Sequence, residues 1–365
     1  MAEIFRITAG KRRGEITPPV SKSHLHRLLF ADFLGGDYTR LQINSDDPED
    51  IRATKRCLLA LSEDTETPIL DCGESGSTLR FLKPVAAALN KRPQYVTKGR
   101  LAERPGIDYP ELECGLHELP GNVSSQFATG LLFALPILKG DSEIRFTTPL
   151  ESRGYVDMTL QVLRQSGVTI TETPRGFLVP GNQTYTAPVN VEPERDWSGA
   201  SFFIAMNYLG SEIKINGLND GSLQPDRALP ELLKKQGEVI DVSQCPDIFP
   251  PLAVALAGKP GTTTITGIRR LRLKESDRVR STSDLLKSLN VKHEIAEDAF
   301  RIQGQGTPFS PNQTTIKTYG DHRLAMSAAV AAANSQSPIT IDDASCCAKS
   351  YPFFFEEFLA LPLIY

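Results

Sequence analysis

The chain has 365 residues, 40% of them apolar, with 44 acidic against 40 basic side chains and a net charge of −4. That length predicts two domains with real cores, and the acidic balance argues against nucleic-acid binding as the main role. No run approaches the roughly 20 apolar residues of a membrane span, and residues 1–16 lack the apolar core of an export signal, so a soluble cytoplasmic protein is expected.

In chain order, a strand over 4–8 leads to Pro18-Pro19-Val20, where two prolines stop an extended run. Ser21-Lys22-Ser23 then opens a helix over 23–35, which Leu28, Leu29, Phe30 and Phe33 mark as buried. Lys22, Ser23 and Arg27 converge at its start. A helix over 48–61 follows. The turn Gly73-Glu74-Ser75-Gly76-Ser77-Thr78 enters a helix over 77–89. There Gly76 lets a ligand approach the backbone, and Ser77 or Thr78 can cap. Arg104, before Pro105, reads equally as a bidentate phosphate grip or as a surface ion pair. Ser124, Ser125 and Gln126 begin a helix over 123–138, and a strand covers 143–147.

The extended stretch Val189–Asp196 is the candidate crossing between domains. Beyond it come a helix over 197–209 and a strand over 212–216. Asp247, between Pro246 and the apolar helix over 248–257, is either a plain cap or a buried carboxylate. In the second case its pKa should rise unless cations flank it. The β-branched run Thr262–Thr266 gives a strand over 262–267. Leu273–Arg278 then packs Lys274, Glu275, Asp277 and Arg278 into six positions at a helix start, a costly arrangement without compensating charges. A strand over 314–318 precedes Asp321-His322-Arg323 and a helix over 321–333. A strand over 337–342, Lys349 (locally a surface lysine) and a closing helix over 352–359 complete the chain. Cations and hydroxyls at helix starts suit anions, since free N–H groups and the positive dipole end point the same way. The six cysteines, Cys57, Cys72, Cys114, Cys245, Cys346 and Cys347, show no metal-ligand spacing and read as buried small hydrophobes.

An internal repeat runs through this order. Residues 158–181 and 280–304 each read as an amphipathic helix, a stop, a short strand, a charged turn and a strand ending in glycine. Val168, Phe177 and Gly181 match Val291, Phe300 and Gly304 at one offset of 123 (291 − 168, 300 − 177, 304 − 181). The same shift takes Ser152 and Tyr155 to Glu275 and Arg278, as two facing halves of one cleft would. Residues Glu231–Ile240 read as a weaker copy of the helix and first strand.

The ordered set Ser-Lys-Ser…Arg27, Gly-Glu-Ser-Gly-Ser-Thr-x-Arg80, Glu-Arg-Pro105, Gly-Asn-Val-Ser-Ser-Gln126, Lys-Glu-Ser-Asp-Arg278, Asp-His-Arg323 and Ala-Lys349 resembles the 5-enolpyruvylshikimate-3-phosphate synthase family over nearly the whole chain. The resemblance implies an α/β (α+β) enolpyruvyl transferase fold. Two similar domains of repeated βαβαββ-type units would flank a cleft, with residues 18–194 as one lobe and 1–17 plus 195–365 as the other. The N-terminal-type lobe looks pared down near 61–71 and 105–121. The implied reaction moves the enolpyruvyl group of phosphoenolpyruvate to the 5-hydroxyl of shikimate 3-phosphate and releases phosphate, on the way to chorismate and aromatic amino acids. A monomer is expected, with no metal, cofactor, nucleic acid or membrane partner.

By resemblance Lys22, Ser23, Arg27, Ser124, Ser125, Gln126, Ser152, Tyr155, Asp247 and Lys274 would hold shikimate 3-phosphate. Lys22, Gly76, Arg104, Gln126, Arg278, Arg323 and Lys349 would hold phosphoenolpyruvate, and Lys22, Asp247, Glu275 and His322 would be catalytic. Glu74 and Arg270 stand where many relatives have asparagine. The alternatives are transfer to UDP-N-acetylglucosamine, for which the Ser-Ser-Gln and Ser152…Tyr155 features fit less well, and a non-catalytic anion-binding relative. Empty, a cleft lined this way is expected to open by charge repulsion.

Overall fold

A computed structural model describes residues 4–312 and 315–364. They form two compact units. The first takes the chain up to Ser21 and again from Glu194, and the second is the continuous stretch Lys22–Pro193.

The first unit opens with β1 (Phe5–Ile7) and β2 (Arg13–Ile16). The second begins with α1 (Lys22–Leu34) and α2 (Glu49–Ser62). Then β3 (Ile69–Gly73), α3 (Gly76–Ala88) and β4 (Gln94–Thr97) make a two-stranded parallel ladder joined through a helix. It ends with β5 (Leu116–Leu119), α4 (Ser125–Ala134), β6 (Ser142–Phe146), α5 (Arg153–Gln165), β7 (Thr171–Thr173) and β8 (Gly176–Val179). Its core stacks Phe30, Phe81 and Phe133 with ring centroids 5.4–6.1 Å apart.

Back in the first unit, α6 (Trp197–Tyr208) leads to β9 (Glu212–Ile215), which runs parallel to β2. Next come α7 (Leu229–Leu233), β10 (Val239–Asp241), α8 (Phe249–Ala257), β11 (Gly261–Thr266), α9 (Arg278–Ser288), β12 (His293–Ile295) and β13 (Ala299–Gly304). The chain closes with α10 (His322–Ala333), β14 (Ile339–Ile341), paired antiparallel to β1, and α11 (Phe354–Ala360). Every residue of α8 and of α10 is buried. Beyond the His322-Arg323 start of α10, both are apolar or small-residue helices all round, which makes them the central helices of this unit rather than amphipathic cover.

The repeat is real in three dimensions. The sheets run β5-β6-β8-β7 and β10-β11-β13-β12, each with a parallel first pair and an antiparallel hairpin added to it. The offset of 123 holds from the helix C-termini (Gln165, Ser288) through the hairpins, whereas the helices start 125 apart, at Arg153 and Arg278. The register thus still sets Ser152 against Glu275, while the residue at the cap of α9 is Asp277. The proposed third copy is not one. α7 is a single turn, and β10 pairs parallel to β11 as β5 does to β6, so it begins a sheet instead of forming a hairpin.

Four strands escaped the sequence pattern: β2, β3, β4 and β5. Each is four or five residues long with charged or exposed positions, too short for alternation to register. The helix expected over 123–138 ends at Ala134, where Pro136 turns the chain into a 3₁₀ segment Leu135–Ile137. The strand expected over 314–318 begins at Thr314, outside the described residues, and Ile316 forms only a bridge to Ile341. Cys57, Cys72, Cys245 and Cys347 are buried as expected, but Cys114 is exposed. Among the described residues no helix is long and apolar enough to cross a membrane.

Candidate active site

In the first unit carboxylates cap the starts of α6, α9 and α10. Asp196 accepts from Ser198 N–H (3.2 Å), Asp277 from Arg280 N–H (3.1 Å) and Asp321 from Arg323 N–H (3.0 Å). α9 starts later than the sequence suggests. Leu273 ends a 3₁₀ turn and Lys274–Asp277 form the loop before the helix, so the charged side chains fan outward instead of stacking along one turn.

Arg278 is the hub of this loop, and only 1% of it is exposed. Its Nε donates to Asp321 Oδ2 (2.9 Å), Nη1 to Asp247 Oδ1 (2.7 Å) and Nη2 to Glu275 Oε2 (2.8 Å). Asp321, fully buried, also accepts from Ser276 Oγ at 2.9 Å. Asp247 takes Lys274 Nζ at 3.2 Å and Arg323 Nη2 at 3.0 Å. Lys349 Nζ lies 4.0 Å from Glu275 Oε1. Locally Lys349 reads as a surface lysine, but it is only 7% exposed, because the 3₁₀ turn Ser345–Lys349 packs on α10. His322, the first residue of α10, is also buried, with Nδ1 3.8 Å from Asp321 Oδ1. Asp247, Lys274, Glu275, Arg278, Arg323 and Lys349 thus share one ion-pair network, and His322 adjoins it.

Burial would raise the Asp247 carboxyl, but Arg323, Lys274 and Arg278 hold it well below the usual range. Burial also opposes charge on Arg278, yet Asp321, Glu275 and Asp247 keep its pKa above the ordinary arginine value. Lys274 is pushed down to about 8 by burial, against the pull of Asp247. Charge within this network is closely matched. Its four cations face the carboxylates of Asp247, Glu275, Asp321 and Asp226, so little charge is uncompensated.

In the second unit the caps are hydroxyls. Ser75 accepts from Thr78 N–H and Ser124 from Gln126 N–H, both at 3.3 Å. Ser75 therefore caps α3, one position ahead of the helix, and Thr78 is its donor. Ser152 occupies the N-cap position of α5 without a side-chain cap bond, at φ 57°, a left-handed conformation costly for serine and enriched at functional sites.

Lys22 Nζ donates to Asp50 Oδ2 at 2.6 Å, which ties the starts of α1 and α2 together. Arg27 lies across three carriers. Nε donates to Thr159 Oγ1 (2.9 Å), Nη1 to the Ser23 carbonyl and Nη2 to the Tyr155 carbonyl (2.8 Å). Burial lowers its pKa to about 10, with Tyr155 opposing. Gln126 accepts from Arg80 Nη1 (2.5 Å) and donates to Ser77 Oγ (2.8 Å). Arg80 Nη2 also holds the Pro105 carbonyl (2.9 Å), next to Arg104. A Cβ on Gly76 would lie 3.0 Å from Arg80 Nη1 and 3.2 Å from Arg104 Nη1. With glycine there, both guanidinium groups face bare backbone, and a side chain would have to push them aside. Ser125 is buried at the start of α4.

Several participants were not singled out from sequence. Arg80 stood inside a quoted motif, and its place one turn into α3 was the available signal. His26 Nδ1 meets Thr54 Oγ1 (2.8 Å), Thr54 meets Thr78 (2.6 Å), and Thr78 meets Ser75 (2.7 Å). This buried chain locks the starts of α1, α2 and α3. Burial lowers the His26 pKa to about 3, so the ring is neutral. Asp226, linked to Arg323 through Ser198, carried no local signal. Among the described residues no group of three or more His, Cys, Asp or Glu is placed to hold a metal ion.

The family model described as EPSP synthase (3-phosphoshikimate 1-carboxyvinyltransferase) matches residues 107–240 and 227–358. The 3-phosphoshikimate 1-carboxyvinyltransferase of Clostridium botulinum (strain Eklund 17B / Type B) is 34% identical over 423 positions, spanning 98% of this chain and 97% of its own. That of Clostridium kluyveri is 36% identical over 415 positions, spanning 97% and 96%. Since 423 − 365 = 58, the first relative has at least 58 positions without a counterpart here. The EPSP synthase structure from Acinetobacter baumannii superposes with a TM-score of 0.75 at 22% identity, over 99% of this chain and 98% of that one. The enolpyruvyl transferase NikO from Streptomyces tendae does so at 0.68 and 15%, over 100% and 98%. These two likenesses speak for the fold.

Proposed function

The chain belongs to the EPSP synthase (3-phosphoshikimate 1-carboxyvinyltransferase) family, and from that membership we propose that it transfers the enolpyruvyl group of phosphoenolpyruvate to the 5-hydroxyl of shikimate 3-phosphate, releasing phosphate. The observation that carries the residue assignment is the Asp247 carboxylate, gripped at once by Arg278, Lys274 and Arg323. It is a base kept ionised among cations that can also face an anion.

In this reading Ser23, Arg27, Ser124, Ser125, Gln126, Ser152, Tyr155 and Lys274 bind shikimate 3-phosphate. Gly76, Arg104, Gln126, Arg278, Arg323 and Lys349 bind phosphoenolpyruvate. Asp247 and Lys22 work on the 5-hydroxyl, and His322 supports the acid–base set. The hydroxyl oxygen bonds to C2 of phosphoenolpyruvate as C3 gains a proton. The tetrahedral adduct then loses a C3 proton and phosphate, which restores the double bond. Glu275 is the group that gives and takes the C3 proton. Its carboxylate is paired with Arg278 and Lys349. An anionic ligand drawing on those two cations makes its negative charge costlier and so favours the protonated form. Holding both reactants together supplies much of the acceleration. The enzyme is read as a cytoplasmic monomer, which size-exclusion chromatography with light scattering checks for mass.

The deciding assay is phosphate release. It should require phosphoenolpyruvate and shikimate 3-phosphate together and be absent with UDP-N-acetylglucosamine as acceptor. Glu275→Gln should lower kcat by about 10²–10⁴-fold, the usual range for a lost acid–base group, with both KM values nearly unchanged. Unaltered turnover in that variant would remove Glu275 from the mechanism.

A further inference from the structure

Arg323 is held at three points, and one of them leads away from the ion-pair network. Its backbone N–H donates to Asp321 Oδ1 at 3.0 Å, and its Nη2 donates to Asp247 Oδ2 at 3.0 Å and to Ser198 Oγ at 2.9 Å. Nη2 carries two hydrogens, so both are committed. Ser198 has one hydroxyl hydrogen, and it goes to Asp226 Oδ2. Every hydrogen along Arg323–Ser198–Asp226 therefore has one direction, from guanidinium to hydroxyl to carboxylate.

The far end of this chain is built as firmly as the near end. Ser198 stands in the first turn of α6, its own N–H fixed by the cap Asp196. Asp226 stands in the 3₁₀ turn Pro225–Ala228. Gln224 straps that turn to the start of α6, accepting Trp197 N–H at 3.0 Å and donating to the Arg195 carbonyl at 2.8 Å. Asp226 is only 2% exposed. A carboxylate so deeply buried costs stability unless its charge is used. Burial and the nearby Asp247 push its pKa up to about 6, with Arg323 and Ser198 pulling the other way.

Asp247 already accepts Arg278 and Lys274 on Oδ1. Without a second anchor, the Arg323 guanidinium would close onto Asp247 as a two-pronged pair, the geometry this pair of side chains favours. Its fork would then be spent inside the protein. Ser198, anchored on Asp226, takes the second hydrogen, dividing Nη2 between the Asp247 carboxylate and the Ser198 hydroxyl.

Resting on the function proposed above, we propose that Ser198 and Asp226 are positioning residues that hold the Arg323 fork off Asp247, and so set the affinity for phosphoenolpyruvate without touching it. Nothing in the family motifs or in the residue sets above assigns either side chain a part.

The test is steady-state kinetics on Ser198→Ala, Asp226→Ala, Asp226→Asn and the Ser198→Ala/Asp226→Ala double variant, with folding checked by circular dichroism. Expected is a rise in KM for phosphoenolpyruvate of about 10–100-fold in the two single alanine variants, the scale of a lost partner behind a ligand-binding group. KM for shikimate 3-phosphate should stay within about twofold. Asp226→Asn keeps an oxygen for Ser198 and should recover most of the loss. The double variant should be no worse than the worse single one, because both changes break one chain. Unchanged KM values, equal changes in both, or additive losses would overturn the proposal. The reading beneath it is tested separately by turnover of the unaltered enzyme. If that fails, titration calorimetry with phosphoenolpyruvate at saturating shikimate 3-phosphate still decides. Weaker binding in the alanine variants supports the arm, equal binding overturns it, and no binding by the unaltered protein overturns both.

Discussion

At the scale of single residues, Lys274 makes the clearest demand. A lysine at about 8 is half neutral in mildly alkaline buffer, and the cause is burial that Asp247 does not fully offset. If its ammonium grips shikimate 3-phosphate, kcat/KM for that substrate should fall above pH 8 by about tenfold per pH unit. Lys274→Arg should carry the limb out of range, and an identical profile in that variant would rule Lys274 out. The sign for stability runs the other way. Between 8 and 10.5 the unfolded chain binds more protons than the folded one, so this group adds stability as pH rises through that window. Legibility at this scale depended on neighbours in sequence. Lys274, Glu275 and Arg278 were visible because, with Asp277, four charges in five positions need an explanation. Lys349 looked like surface because what buries it includes packing on α10, which lies outside its local pattern. Asp226 looked like any acid after a proline, since its meaning lies in Ser198, 28 residues earlier.

At the scale of elements, the matched glycines Gly181 and Gly304 do one job in two places. A Cβ on Gly181 would come within 2.3 Å of the Gly140 carbonyl oxygen, and one on Gly304 within 1.8 Å of the Lys259 carbonyl oxygen. Each hairpin can leave its sheet only by sliding under backbone. Gly304→Ala and Gly181→Ala should each cost about 1–3 kcal/mol in denaturant unfolding, as overpacked sites do. A midpoint unchanged in both variants would mean that the close approach is not structural. The hairpins were legible because two strands and a turn repeat after a helix of clear periodicity. The first strands of the same sheets, β5 and β10, were missed or misread. They are short and edge-exposed, and what defines them is a parallel partner about 25 residues further along the chain. The charged segments were readable as belonging to helix starts, but the choice of cap was not. Carboxylates serve one unit and hydroxyls the other, and either residue type satisfies a cap equally well in sequence.

At the scale of the molecule, the family was legible because its motifs span both units in a fixed order, while the reduced length is a matter of what the chain omits. α5 and α9 each run into a hairpin, whereas α2 passes directly to β3. The second unit enters and leaves the first at adjoining backbone. Val20 bridges Arg195 antiparallel, and Ser21 N–H donates to the Glu194 carbonyl at 2.6 Å. Deleting Lys22–Pro193 and joining Ser21 to Glu194 through a two-residue turn should therefore leave a protein that unfolds cooperatively, since the large apolar core around α8 and α10 draws only on its own residues. A non-cooperative melt by circular dichroism would show that it needs the insert.

The bond that seals the insert also fixes an order of events at the ribosome. Everything the guest needs has been translated once Pro193 emerges, when its host has only two short strands in hand. Those strands must wait, unpartnered, for β9 and β14 to be made. A slowly translated or poorly folding guest would thus prolong the exposure of strand edges in a unit whose own sequence is faultless.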